Sequence, residues 1–258
     1  MNKTKIVALA VFFNLTFEYS MRGPRGLFSH IGLLLLLVLL YSLYFFTVDS
    51  LIRRYGLTNL QTLAVAFSFG ILIVTFFSGD VFVGATVLGI NPLRFLFINV
   101  VWWGFFQTLL ALYFANRTVR RDAAEDALGT GALAACIGAI LVAVALLHAV
   151  ANTPKGSPPG YLVSLSVLVI LLAYLVLSLR HQEPNESASF RKSTLLDVLA
   201  FGSLAICFVL GTFVAGSHPS ATGSLFDSRA ASLSAGWTVI VLVGLAIYYV
   251  RTRKAIPI

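Results

Sequence analysis

Charged residues are scarce in this chain. Asp, Glu, Lys and Arg together make up 11% of its 258 residues, whereas soluble domains carry roughly 25%. Hydrophobic residues make up 59% of the sequence, and the mean hydropathy is +0.92. So few charges could not cover a surface that faces water. The composition therefore excludes a soluble globular protein and predicts one that lies mainly in lipid.

Cysteine is also scarce, and the common cofactor motifs are absent. The two cysteines, Cys136 and Cys207, lie inside apolar segments, and no CxxC pair occurs. This placement predicts buried free thiols rather than a disulfide or a metal site. No lysine lies in the interior of an apolar segment, since Lys5 stands at the very start of the first one, which argues against a retinal Schiff base. The sequence has no P-loop either, so the chain is not itself an ATPase.

The net charge is +8, and it comes from lysines and arginines in the short segments between apolar runs. In a soluble protein this excess would indicate nucleic acid. Here no basic stripe with interleaved aromatic residues occurs on a polar segment, so we predict no nucleic-acid partner. The expected partner is the lipid bilayer, whose anionic headgroups attract basic residues. A second copy of the chain or another membrane protein stays open as a further partner.

Eight apolar segments follow one another along the chain. They cover residues 5–20, 28–51, 60–79, 93–116, 131–151, 160–180, 194–216 and 232–250. Because a helix that crosses a bilayer needs roughly 20 residues, the pattern predicts an all-α fold, a polytopic transmembrane helix bundle of about eight spans. The first segment is short, and seven spans with residues 5–20 lying in the membrane interface are the main alternative.

The distribution of basic residues predicts the orientation. With eight spans, 13 of the 18 Lys and Arg residues fall on the same side as both termini. Basic residues accumulate on the cytoplasmic side of membrane proteins. We therefore expect a multi-pass protein of the cell membrane with both termini in the cytoplasm. Arg22 and Arg25, in the first outer loop, depart from this bias.

Residues 1–258 are predicted to form a single integral membrane domain with two halves of different composition. Residues 1–121 are aromatic-rich and hold 16 of the 21 phenylalanines, whereas residues 131–254 are rich in Ala, Val and Leu. A polar cytoplasmic connector, residues 117–130, joins the halves. A four-plus-four arrangement of spans is the corresponding prediction.

Several ionisable residues are predicted to lie near the outer ends of spans. Because charges at membrane depth are costly and often functional, they form a candidate polar vestibule that handles protons or ions. Its members are Glu18, Arg22, His30, Asp80, His148 and His218. Alternatively, these residues only mark where helices leave the lipid. No metal site or cofactor is predicted, although haem or a metal bound by His148 and His218 is a further alternative, since imidazole is a common ligand.

The fourth apolar segment is the most polar inside. It opens with Asn91-Pro92, a helix-start signal. Asn99, Trp103 and Gln107 follow at a spacing of four and form a candidate intramembrane polar stripe on one helix face. Amides at this depth face other helices or a cavity. Hydrogen bonds between helices and a substrate-lining face are the two interpretations of the stripe.

Asp49 and Arg53 are four residues apart at the cytoplasmic end of the second segment. Residues at this spacing share a helix face. We predict an ion pair that anchors the helix end, and a gating pair is the alternative.

Two short segments resemble parts of enzyme families. Glu18-Tyr-Ser-Met-Arg22-Gly23 resembles the second half of the EExxxRG motif of CAAX-type intramembrane proteases, but Phe17 stands in place of the first glutamate. Phe45-Phe-Thr-Val-Asp49 matches that family's FxxxH with Asp in place of His. The resemblance implies hydrolysis within the membrane, but the missing glutamate and histidine leave water activation unassigned.

The second resemblance is to haem A synthases, which also have eight spans. Gly211-Thr-Phe-Val-Ala-Gly-Ser-His218-Pro219 is similar to their glycine-rich histidine loop. Glu18-Tyr-Ser-Met-Arg22 is similar to their glutamate–histidine–arginine motif, with Met21 in place of the histidine. This resemblance implies an enzyme that acts on haem.

Three classes of function follow from these features. Many spans, short loops and a polar stripe favour a transporter or permease for a small solute or ion, and this is the function we predict. A membrane-embedded enzyme acting on lipid or haem is the alternative that the two resemblances imply, although the sequence favours a protein that is not an enzyme. A structural or assembly subunit of a membrane complex is the third class.

Overall fold

The computed structural model describes residues 2–28, 31–119, 127–150, 155–180 and 194–214. These ranges are helical apart from short connectors and contain no β-strand. The predicted all-helical class is therefore confirmed. The eighth predicted segment, residues 232–250, lies outside the described residues, as do His30 and His218.

Seven long helices follow one another in the described ranges, and each overlaps one predicted apolar segment. They are α1 (Asn2–Phe28), α2 (Ile31–Tyr55), α3 (Asn59–Phe77), α4 (Pro92–Thr118), α5 (Thr130–Val150), α6 (Pro158–Arg180) and α7 (Thr194–Val209, continued by Leu210–Val214). The first continues past residue 20, so Arg22 and Arg25 lie on a helix and not in the predicted outer loop. Gly23 interrupts α1 with a positive φ of 64°, a conformation that glycine adopts at little cost.

Five of these helices are long and apolar enough to cross a membrane, judged by length and composition. They are the parts Leu34–Tyr55, Asn59–Phe77, Pro92–Thr118, Pro158–Arg180 and Leu196–Phe213. In α5 the apolar part, Thr130–Leu146, is shorter. The protein is thus a helical membrane protein, as its composition predicts.

The starts of α3 and α4 follow from their sequences. Thr58 and Gln61 form a reciprocal capping box at the start of α3, which satisfies two backbone N–H groups that lack helical partners. At α4 the Asn91 side chain accepts a hydrogen bond from the backbone N–H of Arg94, and Pro92 occupies the first turn. The helix start predicted at Asn91-Pro92 is therefore confirmed.

Three stretches are π-helical, with each N–H bonded five residues back rather than four. They are Leu72–Phe77 at the end of α3, Phe97–Leu110 in the middle of α4 and Leu210–Val214 at the end of α7. The stretch in α4 covers 14 residues. π-Helical turns are rare and occur frequently at functional sites, so α4 is the leading candidate to carry one.

The described residues form two compact units. Unit 1 comprises the described parts of residues 1–42, 110–125 and 190–258, and unit 2 those of residues 43–109 and 126–189. In unit 1, aromatic rings pack α1 against α7 and the end of α4. Phe13 contacts Phe114, Phe114 contacts Phe201, and Tyr19 contacts Phe208.

In unit 2 the termini of neighbouring helices contact each other at both ends of the unit. At one end Arg54 donates to Thr130 at 2.8 Å, and Gln61 donates to Ser178 at 3.1 Å. At the other end the rings of Phe82 and Tyr161 are in contact, with centroids 5.0 Å apart. Asn91, at the start of α4, donates its backbone N–H to the carbonyl oxygen of Val81 at this second end. Successive helices α3 to α6 therefore run in alternating directions.

Candidate intramembrane site

The polar stripe of α4 lies in unit 2, and all three of its side chains are buried. Asn99 and Gln107 are 0% exposed and Trp103 is 5% exposed. The stripe lies within the π-helical stretch Phe97–Leu110. Positions four and eight residues apart lie on one side of a helix. The backbone geometry therefore keeps the three side chains on one face.

Aromatic rings surround the middle of the stripe. The ring of Tyr44 stacks on Phe69 with centroids 4.0 Å apart. Trp103 meets Phe69 edge-on at 5.1 Å and Tyr44 at 6.3 Å. The hydroxyl groups of Tyr44 and Thr108 are hydrogen-bonded at 2.5 Å, and Thr108 donates to the carbonyl oxygen of Trp103 at 2.8 Å. This cluster fixes the indole ring between the two amides.

Asn99 has one satisfied and one unsatisfied amide atom. Its Nδ2 donates to the carbonyl oxygen of Phe95 at 2.9 Å, and since a carbonyl oxygen only accepts, this bond fixes which amide atom is the nitrogen. Its Oδ1 is buried and has no hydrogen-bond partner among the described residues. Gly70 of α3 lies directly opposite, where a Cβ atom would stand 2.6 Å from that oxygen.

Gln107 is the most unusual residue of the stripe. Both Oε1 and Nε2 are buried, and neither has a hydrogen-bond partner in the described part of the chain. The hydroxyl of Thr75, in the π-helical end of α3, is buried and unpartnered in the same way. A buried polar atom without a partner costs about 1–3 kcal/mol. These atoms therefore represent hydrogen-bonding capacity that the described residues do not use.

The vestibule residues Asp80 and His148 lie at the same end of unit 2. His148 Nδ1 is 2.6 Å from the carbonyl oxygen of Phe76, and because that oxygen only accepts, Nδ1 carries the proton. His148 thus caps the last turn of α3 from a neighbouring helix. Its ring also meets Phe76 and Tyr161 edge-on, at 6.0 and 6.2 Å. Asp80, four residues after Phe76, is exposed and opens a short 3-10 helix.

Glu18 lies in unit 1, on α1. Its carboxylate is buried, 6% exposed, and accepts a hydrogen bond from Tyr41 Oη at 2.7 Å. Arg22 lies on the same helix, but its side chain is outside the described residues, and so are His30 and His218. The convergence of all six vestibule residues therefore stays a prediction.

The ion pair predicted between Asp49 and Arg53 is confirmed. Arg53 Nε donates to Asp49 Oδ2 at 2.7 Å. Sequence reasoning missed a second pair in unit 1, where Arg117 Nε and Tyr113 Oη both donate to Asp197 Oδ1, at 3.0 and 2.8 Å. The signal was an acidic residue in the first turn of an apolar helix, and its partner, 80 residues away, could not be identified from spacing.

The described residues bring no three His, Cys, Asp or Glu side chains together as a metal site. What they assemble instead is a neutral site in unit 2: an amide oxygen at Asn99, a whole amide at Gln107 and aromatic rings between them. Such a site can hydrogen-bond a small polar molecule. Comparison with protein-family models, curated proteins and solved structures finds no match to this chain.

Proposed function

We propose that this protein is a transporter or permease for a small polar solute or ion, and that the polar stripe of α4 lines the path. The observation that carries the proposal is Gln107, whose amide is fully buried with neither atom hydrogen-bonded within the described residues. An amide that served only to join helices would make its hydrogen bond. An amide kept unsatisfied at this depth fits a site that binds and releases a solute.

The spacing of the stripe supports passage rather than a single binding site. Asn99 and Gln107 are eight residues apart, a distance on the order of 10 Å at about 1.5 Å per residue. A small solute cannot contact both amides at once, so it would meet them in turn. Movement through a membrane protein favours several weak sites over one tight site, because the solute must also leave.

The proposal includes a location in the cell membrane and a multi-pass topology of eight spans, arranged as four plus four. Both termini lie in the cytoplasm. This topology draws on the 13 of 18 basic residues that fall on the side of the termini. The alternating directions of α3 to α6 in unit 2 support the same order of spans. Without a P-loop, transport is passive, secondary or driven by a partner protein.

The test is flux in liposomes that contain the purified protein. Gln107→Leu and Asn99→Leu remove the hydrogen-bonding groups of the stripe and should lower flux per folded protein about tenfold or more, since tenfold corresponds to about 1.4 kcal/mol. Gln61→Leu is the matched control, because Gln61 is also a buried glutamine of unit 2, but one whose amide is hydrogen-bonded to Thr58 and Ser178.

The outcomes separate a path from a packing role. Loss of flux in both stripe variants, with the Gln61→Leu protein transporting normally once corrected for its folded fraction, supports the proposal. Unchanged flux in Gln107→Leu and Asn99→Leu overturns it and favours a structural subunit. Equal loss in all three variants also counts against a specific path.

A further inference from the structure

We infer that the solute is a small neutral molecule that carries both hydrogen-bond donors and acceptors, such as a urea, an amide or a polyol. This inference rests on the proposed function and narrows it from solutes and ions to one chemical class. It follows from the unpartnered atoms of the stripe and of Thr75 on α3, which include donors as well as acceptors, and from the absence of charged side chains on the stripe itself.

On α3 and α4, three residues supply buried unpartnered atoms. Asn99 offers only an acceptor, Oδ1, because its Nδ2 is bonded to the carbonyl oxygen of Phe95. Gln107 offers an acceptor, Oε1, and a donor, Nε2. The Thr75 hydroxyl can act as either. A solute that meets these groups in turn must therefore be able both to accept and to donate hydrogen bonds, and at Gln107 it must do both.

Ions of either sign satisfy only part of this set. A cation accepts no hydrogen bond, so it would leave Gln107 Nε2 without a partner. A simple anion donates none, so it would leave Asn99 Oδ1 and Gln107 Oε1 unsatisfied. Because each unpaired buried group weakens binding substantially, both kinds of ion bind less well than a neutral molecule with adjacent N–H or O–H and C=O groups.

The charges of unit 2 lie away from the stripe. Its charged side chains within the described residues lie outside the stripe: Asp49, Arg53 and Arg54 in the last two turns of α2 with Arg180 at the end of α6, and Asp80, Arg94, His148 and Lys155 at the other end. Asp49 is buried and paired with Arg53. A bare ion beside Gln107 would thus have no counter-charge there, and burying an unpaired charge in a low-dielectric interior is costly. A neutral solute avoids this cost.

Two glycines bring α3 and α4 close together beside the stripe. A Cβ atom on Gly70 would collide with Asn99 Oδ1, and a Cβ atom on Gly104 would collide with the side chain of Leu63. The helices therefore approach as closely as their backbones allow, with flat aromatic rings beside the amides. This geometry suits a solute of only a few non-hydrogen atoms and favours urea, acetamide or glycerol over a sugar.

The experiment compares neutral and ionic probes in the same liposomes. Stopped-flow light scattering measures the entry of urea, acetamide and glycerol after an osmotic step, and isotope uptake measures rubidium and iodide. We expect flux of at least one neutral probe well above protein-free liposomes, a roughly tenfold loss in Gln107→Leu and Gln107→Met, and unchanged flux per folded protein in Gln61→Leu. Rubidium and iodide should stay at background throughout.

Each outcome bears on one of the two proposals. Rubidium or iodide flux that falls in Gln107→Leu, with no neutral flux, overturns the neutral-solute inference and leaves the transport function standing. Flux of a neutral probe that is unchanged in both Gln107 variants overturns the role of the stripe. Flux of rubidium or iodide that is unchanged in both variants overturns it as well. No flux of any probe from folded protein overturns both proposals. The second variant, Gln107→Met, guards against misfolding, since methionine has nearly the shape of glutamine.

Discussion

At the scale of single residues, the same substitution at Gln107 and at Gln61 is expected to change the free energy of unfolding in opposite directions. Both are buried glutamines of unit 2, but only Gln61 has partners, on Thr58 and Ser178. Gln107→Leu removes two unsatisfied groups and should leave the free energy of unfolding unchanged or raise it by about 1 kcal/mol. Gln61→Leu breaks the capping box and should lower it by about 1 kcal/mol. Thermal unfolding in detergent measures both.

If Gln107→Leu lost as much stability as Gln61→Leu, the amide of Gln107 would have a hydrogen bond in the folded protein, and the stripe would be a packing feature. A gain in stability combined with a loss of flux is the pattern expected of a functional group, because function rather than folding would then explain why a polar residue occupies this position.

Gly70 gives a second residue-scale prediction. In Gly70→Ala the new Cβ would lie 2.6 Å from Asn99 Oδ1 and 3.1 Å from Trp103 Cβ, so α3 and α4 must separate. We expect a loss of about 1–3 kcal/mol in unfolding free energy and lower flux. Gly138→Ala on α5 is the control, because its Cβ would have no neighbour within 4 Å. Equal stability of the two variants would contradict the close approach of the helices.

The sequence predicted some of these residues better than others. The spacing of Asn99, Trp103 and Gln107 identified the stripe, and the spacing of Asp49 and Arg53 identified their ion pair, because both patterns are local to one helix. Whether Gln107 has a partner depends on side chains of other helices, which no local pattern specifies. The bonds of Asp197 to Tyr113 and Arg117 were missed for the same reason.

At the scale of elements, apolar length predicted the helices, and capping chemistry predicted the start of α4 at Asn91-Pro92. The π-helical stretches were not predicted. They differ from an α-helix in hydrogen-bond register rather than in composition, and Phe97–Leu110 is as apolar as the α-helices around it. The part of the candidate site that depends on backbone register could therefore be found only in the structure.

At this scale, the prediction concerns the effect of His148 on the local stability of the end of α3. In His148→Phe the aromatic contacts can persist, but the hydrogen bond to the carbonyl oxygen of Phe76 is lost. We expect the last turns of α3, Leu72–Phe77, to exchange their amide hydrogens about fivefold faster, which corresponds to about 1 kcal/mol of local stability. Hydrogen-exchange mass spectrometry resolves this segment.

Tyr161→Phe is the control for that measurement, since it keeps the ring that stacks on Phe76 and meets His148. Exchange in α3 should then stay as in the native protein. If the two variants behaved alike, the aromatic cluster as a whole would stabilise the end of α3, and the histidine would have no capping role of its own.

At the scale of the whole molecule, the sequence predicts which segments enter the membrane but not which of them pack together. Unit 1 joins α1 to the end of α4 and to α7, segments far apart in the chain. The apolar pattern of each segment records its length and not its neighbours, so this grouping was beyond sequence reasoning. The order of sides, in contrast, can be predicted by counting basic residues.

That order can be tested on unit 2, where α3, α4 and α5 lie between two exposed positions, Asn59 and Lys155. Three crossings place them on opposite sides of the membrane, with Asn59 in the cytoplasm if the basic residues set the orientation. With Cys136 and Cys207 replaced by alanine, an impermeant maleimide on intact cells should label Lys155→Cys at once and Asn59→Cys only after permeabilisation. The reverse pattern would mean that the protein has the opposite orientation in the membrane. Labelling of both cysteine variants from outside would mean that one of the three helices does not cross the membrane. In that case the amides of α4 would not lie along a route between two compartments, so this experiment tests the premise of transport independently of any solute.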